Sequence, residues 1–558
     1  MNYNFRLRGK ALALAAILIV AVSSCKKDSD PKTATDPDPA NSSRSELTKD
    51  SIFYYAKQVY LWNDALPTYE AFNPRQYTGG KDDLANYNKE LLAITQLKIN
   101  PETQRPYEYR VSAPSVPKYS NIQDIKDKNP VAVITAKGSV DTEGNGNDLG
   151  LYTFKAFGSS NNDYTLYIGA VSPGSPAAKA GLTRGTQITG ISKINGGSGG
   201  ITNLGSDFNG QKDVINSLLD NEVTSVTLAG VYTNGKTFNK TISKASYKSS
   251  PIYKDSVITV RGKKIGYLAY ARFSQLTNGD SPNPTDANLD PVFAKFASAG
   301  ITDLIVDLRY NGGGYVNAAE YLINLIAPSS ASGTMYTEVY NSLMQSNKAT
   351  ILKNQPLTDG AGKIRYDGNK MLTYADVDYS LEGNTNKFSK KGNLTGIKNV
   401  VFIVSGGTAS ASELTINCLK PVVNVKLVGA QTYGKPVGFF PVTIENRYDV
   451  YFSMFETKNS KGEGSYYAGF KPDVVDDNSN SSVIYDDAMH DFGDVSESYM
   501  GSAVNLLVPN SVSASSRASM SVDLKSGRVS GSRLIDMSGK LTQPKNFVGM
   551  LETRYKVK

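Results

Sequence analysis

Strand-like and helix-like segments alternate along residues 263–430 of the chain. Apolar runs typical of buried strands, such as "ITDLIVDLR" at residues 301–309, are followed by segments with apolar residues at helical spacing, such as "NAAEYLINLI" at residues 317–326. Strands joined through helices pair in parallel, and near-continuous apolar character is typical of strands covered on both faces. The sequence therefore predicts an α/β domain with a mixed sheet over residues 250–510.

Ser410 lies between one of these strands and the helix that follows it, in "GGTASASELTINCLK" at residues 406–420. The carboxyl edge of such a sheet carries reactive groups, and the amides and dipole of a helix start stabilise developing negative charge. A capping box of Ser410 with Glu413, three residues later, explains the same pattern without any catalysis. The local sequence leaves both interpretations open.

A serine nucleophile needs a base, and the chain of 558 residues contains a single histidine. That residue, His490, stands in the acidic segment "DDAMHDFGD" and is expected at the surface rather than beside a nucleophile. Another side chain must therefore accept the proton of a catalytic serine.

The segment preceding the α/β domain has strands, tight turns and one short helix, "SPAAKAGL" at residues 175–182. This pattern resembles a PDZ domain over residues 130–247. The resemblance implies that the loop Leu149, Gly150 and Leu151 holds the terminal carboxylate of a peptide added to a sheet edge. A generic small β-rich domain is the alternative.

The N-terminus has basic residues, twelve apolar residues at positions 11–22, and then "AVSSC" ending at Cys25. The apolar run is shorter than the roughly 20 residues needed to span a bilayer, so residues 1–24 are expected to be a secretion signal. "AVSSC" resembles the lipobox of bacterial lipoproteins, which implies a lipidated Cys25 and a membrane-anchored protein of the bacterial cell envelope, on its periplasmic or cell-surface face. An ordinary cleaved signal is the alternative.

The remaining segments are expected to have different characters. Residues 25–45 are polar and rich in Pro, Asp and Ser, which is typical of a flexible tether, and residues 46–115 have the aromatic and apolar spacing of a helical N-terminal domain. Residues 511–558 match no pattern that we can assign.

Three motifs stand in the second half of the chain. "TASASE" contains Ser410, and Lys435 follows this serine by 25 residues in "TYGKPVG". The third motif, "DLRYNGGG", occupies residues 307–314. These motifs and their spacing are similar to those of the C-terminal processing peptidases, also called tail-specific proteases. The spacing selects Ser410 over Ser412 as the family's nucleophile. The resemblance covers roughly residues 130–475 and ends at "GFKPDV".

This resemblance implies a serine endopeptidase that acts on the C-terminal regions of exported proteins or peptides. Ser410 would be the nucleophile and Lys435 the general base, with an oxyanion hole formed by the amides of Ala411 and of Gly313 or Gly314. The PDZ-like domain would bind substrate tails or gate the site.

A lysine acts as a base only when its amine is neutral. Lowering a lysine pKa from about 10.4 to about 7 or 8 requires roughly 3 to 5 kcal/mol of destabilisation of the ammonium. Many relatives carry glutamine four residues after the lysine, and this chain has Phe439 there. A catalytically weak or inactive peptide-binding scaffold on the same fold is therefore the alternative function.

Composition narrows the remaining possibilities. Two cysteines and one histidine are too few for zinc clusters of Cys and His, and no GxGxxG or Walker A loop occurs, so no metal or cofactor is expected. The net charge of +8 is spread along the chain without a basic block, which argues against nucleic acid as a partner.

Overall fold

The computed structural model describes residues 42–125, 140–196, 203–279, 281, 283–359, 363–476, 484–512, 535–542, 549–552 and 555–558. The predicted signal, most of the tether and Cys25 lie outside the described residues. The α-helices are α1 (Arg44–Val59), α2 (Tyr69–Phe72), α3 (Asp83–Thr95), α4 (Pro176–Lys179), α5 (Phe208–Ser217), α6 (Leu289–Ala299), α7 (Val316–Ile326), α8 (Ser342–Gln345), α9 (Ala411–Leu419) and α10 (Ser498–Leu507).

The strands differ widely in length, and the longest, β5, has ten residues. In chain order they are β1 (Ile99–Asn100), β2 (Arg105–Pro106), β3 (Asn121–Asp124), β4 (Asn145–Asp148), β5 (Leu151–Ser160), β6 (Asp163–Val171), β7 (Gln187–Asn195), β8 (Ser225–Val231), β9 (Thr237–Ser243), β10 (Ala245–Lys248), β11 (Ile252–Val260), β12 (Lys263–Tyr270), β13 (Asp303–Asp307), β14 (Gly313–Tyr315), β15 (Thr334–Tyr340), β16 (Tyr366–Asp367), β17 (Lys370–Met371), β18 (Thr385–Lys387), β19 (Asn399–Val404), β20 (Asn424–Gly429), β21 (Val437–Gly438), β22 (Val442–Ile444), β23 (Tyr448–Tyr451), β24 (Phe455–Asn459), β25 (Val474–Val475), β26 (Ile535–Asp536) and β27 (Gly549–Leu551).

A six-stranded mixed sheet organises the second half of the chain. Its order is β11-β12-β13-β19-β20-β25, antiparallel between β11 and β12 and parallel between all the other neighbours. Alternate residues of a strand face opposite sides. Leu304 and Val306 accordingly join the core that includes α7 and α9, whereas Ile305 joins the core on α10. The predicted α/β fold class with a mixed sheet is confirmed.

A second six-stranded sheet, antiparallel throughout, has the order β26-β5-β6-β7-β8-β9. The helix α4 begins at Pro176. Ser175 caps this helix by accepting the Ala178 N–H, and proline is favoured in a first helical turn. The helix α5 covers one side of this sheet and contributes Phe208 and Ile215 to its apolar core. We call this unit the PDZ-like unit.

The N-terminal helices pack into the same apolar core as the mixed sheet. Trp62 stacks on Tyr107 at a ring-centroid distance of 4.5 Å, and the Leu61 N–H donates to the Ser453 carbonyl at 2.8 Å. The described residues between Arg44 and Lys558 form one compact unit. The predicted domain boundaries at residues 46–115, 130–247, 250–510 and 511–558 stay predictions. Among the described residues, no helix combines the length and apolar character needed to cross a membrane.

Candidate active site

Ser410 occupies a strained turn between β19 and α9. Its backbone has φ 61° and ψ −112°, a positive-φ conformation that costs a residue other than glycine about 1–3 kcal/mol and is concentrated at functional sites. The side chain is 0 % exposed, and its Oγ has no hydrogen-bond partner among the described residues. A buried hydroxyl without a partner, at the start of a helix, is poised for a role other than packing.

Only one of the two hydrogen bonds of a capping box is formed at Ser410. Ser410 and Glu413 have the capping-box arrangement, and the Ser410 N–H donates to Glu413 Oε2 at 2.9 Å. The reciprocal hydrogen bond to Ser410 Oγ is not made. Capping therefore holds the serine backbone in place and leaves its hydroxyl without a structural partner.

Glu413 ties the serine to the segment that carries the predicted base. The oxygen that binds the Ser410 N–H also accepts the Lys435 N–H at 2.8 Å, while Oε1 accepts the Gly434 N–H at 2.7 Å and the Thr432 hydroxyl at 2.5 Å. Burial raises the pKa of this fully enclosed carboxyl above its usual value, although these hydrogen bonds act in the opposite direction. Glu413 thus links the backbone of Ser410 to the backbone of Lys435, which makes it a candidate positioning residue.

Lys435 is a buried lysine whose amine loses its proton more readily than an ordinary lysine does. Its side chain is 1 % exposed, and burial lowers its pKa to about 7, against the opposing effect of Glu108 and Glu413. Its Nζ lies 4.3 Å from the centre of the Phe439 ring. The face of an aromatic ring stabilises an ammonium and would raise the pKa of the lysine. The pKa of Lys435 is nevertheless lowered, because the effect of burial is larger.

The wall around Lys435 is built in part from the N-terminal region. The Tyr119 ring lies 5.9 Å from the amine, and the Tyr119 hydroxyl donates to the Gly434 carbonyl at 2.5 Å. Glu108 holds this segment by accepting from the Tyr119 and Ser120 N–H groups at 3.1 and 2.7 Å. Sequence reasoning missed Glu108 and Tyr119, because no local signal connects them to a residue more than 300 positions away.

Of the two glycines of the predicted oxyanion hole, Gly313 lies beside the serine and Gly314 packs against Phe273. A Cβ added to Gly313 would be 3.0 Å from the Ser410 Cβ, and one added to Gly314 would be 2.0 Å from the Phe273 carbonyl oxygen, so both positions require glycine. The Gly313 N–H already donates to the Asn311 side chain at 2.9 Å. Of the predicted donors, this leaves Gly314 and Ala411, the latter in the first turn of α9, where amides lack intrahelical partners.

The remaining predicted residues lie apart from this cluster. Ser412 donates to the Asn311 carbonyl at 3.1 Å, and His490 pairs with Asp487 at 2.8 Å in a partly exposed position. Ser412 and His490 thus have polar partners of their own outside this cluster. Within the described part of the chain, no group of three or more His, Cys, Asp or Glu side chains is arranged to hold a metal ion.

The predicted carboxylate loop of the PDZ-like unit is closed by its own chain. Gly150 has φ 82°, and its N–H donates to the Asp148 carboxylate at 2.6 Å. The Leu149 carbonyl accepts the Ala177 N–H at 2.9 Å, and Leu151 begins β5. Asp148 therefore occupies one of the amides that a ligand carboxylate would use.

Residues 264–476 match the model of peptidase family S41. A probable CtpA-like serine protease of Staphylococcus aureus (strain N315) is 24% identical over 306 residues, covering 54% of this chain and 48% of that protein. The chloroplastic C-terminal processing peptidase of Tetradesmus obliquus is 22% identical over 314 residues, covering 54% of each chain. The chain thus spans about half the length of the curated relatives that it matches.

Solved structures with some similarity to the chain include a candidate S41 protease of Bacteroides fragilis and the photosystem II D1 C-terminal processing protease. The first has a TM-score of 0.49 at 21% identity, covering 82% of this chain and 96% of that one. The second has a TM-score of 0.39 at 15% identity, covering 78% and 94%. The family match and these relatives confirm the predicted resemblance to the C-terminal processing peptidases: residues 264–476 are similar to peptidase family S41.

Proposed function

We propose that the chain is a serine endopeptidase that uses Ser410 and Lys435 as its catalytic dyad. The observation that carries the proposal is the pairing of a strained, buried serine whose Oγ has no hydrogen-bond partner with a buried lysine whose pKa is about 7, both held by Glu413 Oε2. A neutral amine beside a hydroxyl is the requirement for serine activation without histidine.

The reaction follows acyl-enzyme chemistry. Ser410 Oγ bonds to the substrate carbonyl carbon as its proton passes to Lys435, and the oxyanion accepts hydrogen bonds from the Gly314 and Ala411 amides. The C–N bond then breaks, and Lys435 protonates the leaving amine. Water, deprotonated by Lys435, hydrolyses the ester and releases Ser410.

Substrates are proposed to be the C-terminal regions of exported proteins or peptides. The signal-like N-terminus and Cys25 support a lipid-anchored protein of the bacterial cell envelope. The antiparallel PDZ-like unit supports recognition of extended tails by strand addition.

Single substitutions test the dyad. We expect Ser410→Ala and Lys435→Ala each to abolish cleavage of unfolded casein, and the double variant to be little worse than either, because the two residues act as one unit. Ser412→Ala and His490→Ala are the matched controls and should retain most activity. Near-normal activity of Lys435→Ala would refute the dyad.

The second candidate function, a peptide-binding scaffold, is favoured by the Phe439 ring, which stabilises the ammonium form of Lys435 at 4.3 Å. Labelling of Ser410 by a fluorophosphonate separates the two functions. A scaffold would take up no label at any pH, whereas the peptidase should be labelled increasingly as the pH rises through about 7.

A further inference from the structure

The segment 535–542, which has no assignment from sequence, lies on the PDZ-like unit in the position of a bound peptide. Its strand β26 pairs antiparallel with the edge strand β5, and the Met537 N–H donates to the Ala156 carbonyl at 2.9 Å. The Thr542 N–H donates to the Asn216 side chain of α5 at 2.7 Å. Met537 and Leu541 are buried in the core of that unit. The sheet edge and α5 are therefore occupied by the chain itself.

The next described segment, β27, lies in the active site. Gly549 stands opposite Gly313 in a parallel pair with β14, and its N–H donates to the Gly312 carbonyl at 3.3 Å. On the other side, the Phe439 N–H donates to the Met550 carbonyl at 3.4 Å. The strand thus fills the gap between the oxyanion-hole strand and the segment that follows Lys435.

The register places one carbonyl beside the nucleophile. The position of a Cβ at Gly313 lies 2.5 Å from the Gly549 carbonyl oxygen and 3.0 Å from the Ser410 Cβ. A parallel ladder with this register directs the Gly549 carbonyl to the Gly314 N–H. The peptide bond from Gly549 to Met550 is accordingly the one presented to Ser410 and to the oxyanion hole.

We propose that the chain's own C-terminal segment is a substrate of its dyad, held on the PDZ-like unit through residues 535–542 and cut between Gly549 and Met550. This inference rests on the proposed peptidase function and names its first substrate. Ser410 Oγ bonds to the Gly549 carbonyl carbon as Lys435 takes the proton. The bond to the Met550 nitrogen breaks as Lys435 protonates it, and water then hydrolyses the Gly549 ester.

Occupancy by β27 accounts for the closure of the site. Ser410 is 0 % exposed, Lys435 1 % and Met550 0 %, so an external peptide meets neither dyad residue while β27 is in place. A tethered segment also has a high effective concentration at the site, which favours cleavage within one chain over cleavage between chains. Loss of residues 550–558 opens the groove to other substrates.

Intact-mass spectrometry of the purified full chain tests the proposal. We expect the active chain to lose the nine residues "MLETRYKVK" and to end at Gly549, with a rate independent of protein concentration, while Ser410→Ala keeps its C-terminus. Met550→Asp places a carboxylate at a fully buried position and so weakens the binding of β27 in the groove. A loss of about 1.4 kcal/mol or more in this binding should slow the cut about tenfold or more. Lys556→Ser, at an exposed position, is the matched control and should be cut normally.

Casein digestion by the same samples separates this proposal from the proposed function. A chain that digests casein but keeps residues 550–558 overturns self-cleavage and leaves the peptidase function intact. A cut at another bond, or a rate that rises with protein concentration, also overturns the proposal. If neither casein nor the C-terminus is cut, and a chain ending at Gly549 is equally inert, the peptidase function fails and the inference fails with it.

Discussion

Replacing Lys435 by methionine should stabilise the protein, and the gain should depend on pH. Methionine has a similar length, suits a buried apolar site and carries no charge. In the wild-type fold the Lys435 pKa is about 7, against about 10.4 in an unfolded chain. Between these values the unfolded state binds a proton that the folded state lacks, so wild-type stability rises with pH across this window. The methionine variant lacks this dependence.

The magnitude follows from the pKa difference. Each unit of difference corresponds to about 1.4 kcal/mol, so the ammonium costs the fold about 4 kcal/mol at pH 7 and about 2 kcal/mol at pH 9. The stability advantage of Lys435→Met should therefore shrink by roughly 1.3 kcal/mol for each pH unit between 8 and 9.5. The slope is a firmer expectation than the absolute gain, because the packing of methionine adds a constant term.

Urea unfolding at pH 7, 8 and 9 measures this slope. Both proteins should carry Ser410→Ala, so that self-digestion does not distort the transition. Lys236→Met is the control, because the Lys236 side chain is exposed and its ammonium is in water in both states. A Lys435→Met advantage that is constant with pH, or that grows as pH rises, would refute a buried neutral amine at this position.

The remaining predictions concern the amine, its positioning residue and the membrane anchor. Phe439→Leu removes the ring that stabilises the ammonium, so the pH at which kcat/KM reaches half its maximum should fall by up to about one unit, whereas Phe440→Leu should leave the midpoint unchanged. Glu413→Gln replaces an acceptor oxygen with a donor facing backbone N–H groups, and should lower the unfolding free energy by about 3 kcal/mol. The same variant should reduce kcat much more than it changes KM, and Glu413→Asp should recover part of kcat. Cys25→Ser should move the mature protein from membranes to the soluble fraction on cell fractionation, and continued tight membrane association would contradict lipidation.

The sequence predicts those parts of the fold that produce a pattern in neighbouring residues. The parallel strands are continuous apolar runs, and Ser410 follows one of them at a helix start, so the sheet and the nucleophile turn are visible without coordinates. The family spacing adds Lys435. Which of the glycines keeps an amide for the oxyanion was not visible, because it depends on the Asn311 side chain engaging Gly313.

The C-terminal segment escaped sequence analysis for a physical reason. The strands β26 and β27 have two and three residues, which is too short to show a period of alternating burial. Their conformation comes from the strand edges to which they add. The Lys435 environment was hidden in a similar way, because Tyr119 and Glu108 reach it only through the tertiary fold.

The hydrogen bond from Tyr119 to Gly434 also bears on when the base acquires its strength during folding. It joins residues 315 positions apart, and the Lys118 ammonium reaches the Tyr467 carbonyl across 349 positions. Contacts of such long sequence separation carry a large loop-closure cost and slow the acquisition of native structure. In an unfolded chain Lys435 is in water and has the ordinary lysine pKa of about 10.4, so it is protonated at neutral pH. Because part of the burial of Lys435 comes from the segment that carries Tyr119, we expect the proposed dyad to become active only after this segment has docked.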